Sequence, residues 1–290
     1  MKPNPNCERK MRENIIPPAR FIICIICILS FSLGACAATT SLHIIKYGND
    51  GVTVLKETTV SYEWMEKNLP VQGDGVTHYY HQGPVFLDDP NPEAQEMLRW
   101  NPPEDKNVQE KDMGAVKGTN LRDLCELVGG MSPGDTVKVR AADGFSREFA
   151  YQNVYSFPPR QGPLVVTWWK ADAGYVPDYR EGMRLVFFAD TSTNPWGIHA
   201  FGNWDWHESA DEEHWYYYRQ GDQKYPTTTG LSVQYISDIL IYPGSSAQAE
   251  PRRMATPNAP EAPTQAGFSL HVIMGALTAG VLLVYATKKR

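Results

Sequence analysis

Cysteine is scarce in this chain, five residues in 290, and its placement excludes more than its number does. Four of the five lie at or before residue 36, which leaves Cys125 alone in the long middle of the sequence. No disulfide can form within that middle, and no cage of several thiolates can hold a metal there. Cys125 falls on the apolar face of a predicted helix, where a thiol is expected to be buried and inert rather than nucleophilic. Positive charge is scarce too. Between residues 41 and 243, 17 Lys and Arg stand against 29 Asp and Glu, a balance of −12 in a chain whose whole net charge is −6. Phosphate binding needs a cationic surface, so nucleic acid is excluded as the expected partner. An acidic exterior is also what a solvated, exported domain presents. The sequence has no internal repeat, which argues against a solenoid.

Long charge-free apolar runs are confined to the two ends. Lys2, Arg9, Lys10, Arg12 and Arg20 precede the run from Phe21 to Leu33, followed by small residues at 34, 35, 37 and 38. This is the layout of a signal peptide over residues 1–38. Leu33-Gly34-Ala35-Cys36 also fits a lipobox, so Cys36 is a candidate for lipidation. Residues 267–287 carry no formal charge and are closed by Lys288-Lys289-Arg290, and a helix of that length spans a bilayer core. The basic tail, 288–290, belongs on the cytoplasmic side, which places the middle of the chain on the exterior face of the cell membrane. Residues 244–266 are rich in Pro, Ala, Ser, Thr and Gln and bury too little to fold, so they read as a stalk.

What remains, 41–243, is expected to be one extracytoplasmic α+β domain. It opens with a strand at Leu42–Lys46, a turn at Asn49-Asp50-Gly51 and a second strand, then a short helix near Tyr62–Asn68. Residues 87–113, with four prolines and many charges, read as a long loop. The stretch from Gly114 to Phe149 is the clearest. Thr119 or Asn120 caps a helix whose Leu121, Leu124, Cys125, Leu127 and Val128 recur at three- and four-residue spacing, and Gly129-Gly130 stops it. A strand at Thr136–Arg140, a tight turn at Asp143-Gly144 and a returning strand follow.

That stretch resembles the molybdopterin-binding domain of the sulfite oxidase family. Gly118, Leu121 and Leu124 match its Gly-x-x-Leu-x-x-Leu helix, and Asp143, Gly144 and Phe145 match its Asp-Gly-aromatic hairpin. Upstream, Thr58 to Met65 with Leu69-Pro70 resembles the family's strand, cap and helix. Downstream, Glu181 to Val186 and Ser232 to Ile239 resemble its later strands, so the likeness spans roughly residues 53–242. It implies a mixed, mostly β architecture and a molybdopterin cofactor. It also implies a cysteine upstream of the Gly-x-x-Leu helix that ligates molybdenum through its thiolate. Here residues 71–118 contain no cysteine, so the usual molybdenum-thiolate chemistry is not expected, since neither His nor Tyr replaces a thiolate in kind.

Two polar clusters remain as candidate cofactor- or ligand-binding residues. In place of the cysteine stands Thr77-His78-Tyr79-Tyr80-His81-Gln82-Gly83-Pro84. As a strand it would turn His78 and Tyr80 to one face and Tyr79 and His81 to the other. The second cluster, Asn194 to Glu208, offers His199, Trp204, Asp205 and His207 among glycines that allow close backbone approach, or else forms a Trp-rich loop packed over the core. If the likeness holds, the two clusters are expected to line one cavity. Three function classes follow: a molybdopterin-type oxidoreductase relative, a non-catalytic surface module for a small molecule or another surface protein, and a His-ligated metalloprotein.

Overall fold

The computed structural model describes residues 39–102, 108, 110–191 and 197–244. The expected signal segment, stalk, membrane span and basic tail lie outside the described residues, as does the start of the second polar cluster, 194–196. Among the described residues no helix is long and apolar enough to cross a membrane. All of them belong to one compact unit.

The chain runs β1 (Ser41–Tyr47), β2 (Val54–Ser61), α1 (Tyr62–Asn68), β3 (Val71–Gln72), β4 (His78–His81), α2 (Pro92–Trp100) and β5 (Asp112–Asn120). It continues through α3 (Leu121–Glu126), β6 (Thr136–Ala141), β7 (Ser146–Ala150), α4 (Tyr151–Tyr155), β8 (Leu164–Lys170), β9 (Gly174–Tyr175) and β10 (Arg184–Phe187). It closes with β11 (His199–Phe201), α5 (Asn203–Ser209), β12 (Tyr217–Gln220), β13 (Gln223–Pro226) and β14 (Ile236–Tyr242). The architecture is α+β, mostly sheet with few and short helices.

Two sheets carry it. The first has strand order β2-β1-β14-β6-β7, with β1 and β14 parallel and the other pairs antiparallel. The second has order β10-β8-β5-β4-β11, with β3 on β5 and β9 on β8, while β12 and β13 form a separate hairpin. The core holds the inward residues of both sheets, among them Leu42, Ile44, Val137, Val139, Ile239 and Ile241 from the first and Val116, Val165, Leu185 and Phe187 from the second. Helix α3 contributes Leu121, Leu124 and Cys125, all fully buried, as its apolar spacing predicts. The Asn120 side chain accepts from the Arg122 N–H, and Gly129 and Gly130 adopt positive φ to end the turn.

Two expectations need correction. Residues 87–113 are not simply a loop, because α2 forms within them. The Asn91 side chain accepts from the N–H groups of Glu93 and Ala94, and Pro92 occupies the first turn. Its polar face hid it, since the helix buries only Arg99 and Trp100 rather than an apolar stripe. Arg99 donates to the Lys224 carbonyl, to Asp88 and to Gln223, and lies over the Tyr225 ring. The Trp-rich segment is likewise more than a covering loop. It supplies strand β11, which pairs in parallel with β4, and then helix α5.

Candidate functional site

Strand β4 lies between β5 and β11, so His78 to His81 are threaded through the second sheet. Its side chains alternate as the period of a strand requires, with His78 exposed, Tyr79 buried, Tyr80 half-buried and His81 buried. On the outer face His78 Nδ1 sits 2.7 Å from Asp112 Oδ2, and Asp112 Oδ1 accepts from the Gly114 N–H. The Tyr80 ring lies beside His78 at 6.4 Å, and its hydroxyl pKa is raised, first by burial and then by the Asp112 charge.

On the inner face Tyr79 stacks on Phe188 at 3.8 Å and tilts against His199 at 5.3 Å. Burial pushes the Tyr79 hydroxyl up to about 12. His81 is fully enclosed, its ring edge-on to Phe187 at 5.5 Å and to Phe201 at 5.9 Å. Its Nε2 accepts from the Phe187 N–H at 3.2 Å, which puts the proton of the neutral ring on Nδ1. Desolvation, with the Arg184 charge adding to it, lowers the pKa of His81 to about 3. A histidine in this state is a neutral core residue.

The second cluster divides into separate partnerships. His199 Nδ1 donates to the Ala189 carbonyl at 2.7 Å. His207 is sandwiched between Trp204 at 4.5 Å and Trp215 at 4.6 Å, with Trp100 edge-on at 5.1 Å and Glu208 bonded to Nδ1. Asp205 accepts from the Gly202 N–H at the start of α5 and pairs with Arg160. Burial raises the Asp205 pKa, against the opposing pull of the Arg160 charge. The seven candidates are thus held by different neighbours. His78 and Tyr80 share the outer face of β4, His199 and His81 lie on its inner side with different partners, and Trp204 and His207 belong to a box of indoles.

The residues that do converge were not among the candidates. Gln82, next to His81 and almost fully buried, ties three parts of the chain together. Its side-chain Oε1 accepts from the Asn203 N–H at 2.8 Å. Its carbonyl accepts from the N–H groups of Thr228 and Thr229 and from both the Thr227 and Thr228 hydroxyls, and its own N–H donates to the Phe201 carbonyl and to Thr228 Oγ1. Asn203, fully buried, donates through Nδ2 to the carbonyls of Gly83 and Pro226 and accepts from the Thr228 N–H through Oδ1. No periodicity marks such residues. Their partners lie 23 to 146 positions away in sequence, and only the fold brings them together.

The donor set does not fit a molybdenum-thiolate centre. Among the described residues no group of three or more His, Cys, Asp or Glu side chains could hold a metal ion. The single thiol there, Cys125, is buried in α3, and burial pushes its pKa up, away from the thiolate that metal ligation needs. No family model matches the chain, and no curated protein matches it.

Proposed function

We propose that this protein is an exported, membrane-anchored protein whose exterior domain keeps a molybdopterin-binding scaffold of the sulfite oxidase type and has given up the metal-thiolate site. In that reading the domain serves as a non-catalytic binding or interaction module, held off the membrane by the stalk at 244–266 and anchored by the span at 267–287. The likeness of residues 53–242 to the family supports the scaffold. One observation carries the rest: in the segment that takes the place of the cysteine loop, His81, Gln82 and Gly83 are buried. A cofactor loop must present its ligand to a cleft, whereas Gln82 gives its main-chain and side-chain polar groups to the protein itself.

Elemental analysis of the full-length, detergent-extracted protein, with fluorescence assay of any oxidised pterin, tests this reading. The expected result is molybdenum far below one atom per chain and no pterin above background. Stoichiometric molybdenum would overturn it.

A further inference from the structure

We propose that the outer edge of β2 is a docking site for an extended peptide, which would add as a sixth strand to the first sheet. This deepens the reading of the domain as an interaction module and rests on it for the biological role, not for the geometry. Strand β2 ends the sheet order, and no strand pairs with its outer side among the described residues. The direction of its free groups follows from the register. The Tyr62 N–H donates inward to the Thr40 carbonyl, and the same antiparallel register pairs Val60 with Leu42, Thr58 with Ile44 and Lys56 with Lys46. Main-chain groups alternate along such a ladder, so those of Glu57 and Thr59 point outward and are available, while Ser61 caps α1 and gives its carbonyl to the first bond of that helix.

A second wall faces that edge. Thr58, Thr59, Val60 and Ser61 of β2, with Trp64 of α1 and Leu127 just beyond α3, line a groove of about 410 Å³. Edge strand on one side and helix on the other is the geometry in which strand addition combines main-chain bonds with side-chain selection. Val60 is buried and Thr58 half-buried, so the even-numbered residues of β2 face the groove side of the sheet, and Lys56 lies on that same face by alternation. Lys56 is exposed and has no carboxylate within 4.0 Å among the described residues. Its cross-strand neighbour Lys46 is already spent on the carbonyls of Gly129 and Gly130 at 3.2 and 2.8 Å. The occupant is therefore an extended segment of a partner protein with an apolar residue over Val60, Trp64 and Leu127 and a carboxylate at the Lys56 end. Four strand residues separate the two positions, about 13 Å. A lysine on an exposed edge also discourages indiscriminate strand pairing, which favours an acidic partner over any free strand.

The test uses a blocked threonine nonapeptide carrying valine at its third position and glutamate at its seventh, titrated against the full-length protein in detergent. Saturable binding is expected. Methylating alternate backbone nitrogens of the peptide should weaken it by about tenfold or more, because the ladder bonds are lost while the side chains stay. Lys56→Glu, an exposed change that leaves the core alone, should weaken the glutamate peptide by about threefold and turn the preference toward a lysine analogue. Absence of saturable binding, equal binding of the methylated peptide, or indifference to Lys56→Glu would each overturn the proposal. So would a concentration-dependent dimer that excludes the peptide, since the edge would then belong to a second copy. A negative result with the peptide leaves the molybdenum measurement untouched, so the two readings fail separately.

Discussion

Replacing Asn203 with alanine is expected to cost about 3 to 4 kcal/mol of folding stability, a large share of the roughly 5 to 15 kcal/mol that holds a domain folded. The substitution withdraws three buried hydrogen bonds in one step, to Gly83, Pro226 and Thr228, and leaves a small void where the amide stood. Urea unfolding should show a lower midpoint with an unchanged slope, the mark of lost stability rather than an altered end state. Glu208→Ala, on the same helix but exposed, should stay within about 0.5 kcal/mol of the parent. Equal, small effects for both would mean that the joint around Gln82 does not hold the domain together.

The second large effect concerns acid. His81 is neutral in the folded protein, with its pKa lowered from 6.5 to about 3, so the unfolded chain binds a proton more readily than the folded one. Stability from this group is complete above pH 6.5 and is lost as pH falls toward 3. By pH 4 the loss is about 3 kcal/mol relative to pH 7. His81→Gln offers an oxygen in place of Nε2 for the Phe187 N–H and does not titrate. Its stability should therefore decline less steeply between pH 6.5 and 4, whatever its absolute value. Asp238, whose pKa is lowered by hydrogen bonds from Arg140 and Ser237 against the penalty of burial, adds an acid-dependent loss common to both proteins. The difference between the two slopes isolates His81, and parallel slopes would show that the ring is not held neutral.

Much of the frame was legible because it rests on local rules. The apolar spacing of Leu121, Leu124 and Cys125, the Asn120 cap and the paired glycines place α3, and Asp143-Gly144 places the hairpin of β6 and β7. The alternation of His78 to His81 was legible for the same reason. Helix α2 was not, since its buried residues are Arg99 and Trp100 and its anchor is a cation bonded across the fold to the hairpin of β12 and β13. Polar residues at 82, 203 and 228 look like ordinary loop residues in sequence. Their roles arise from pairing β4 with β11, a parallel contact between segments about 120 residues apart that no local pattern announces. The chemistry-bearing types, histidine and tryptophan, drew attention to positions that the fold uses for packing. His81 fills the core between two phenylalanines, and His207 fills the space between two indoles.

In the function proposed above, residues 81–84 form a locked structural joint rather than the mouth of a cofactor cleft. Native-state amide hydrogen exchange measures this directly at Gln82, Asn203, Thr228 and Thr229, whose N–H groups are all bonded within the joint. These four amides are expected to exchange only through global unfolding, with the same opening free energy as core amides of β5 and β8. Exchange of Gln82 and Thr228 at the rate of an exposed loop, while β5 and β8 stay protected, would contradict it.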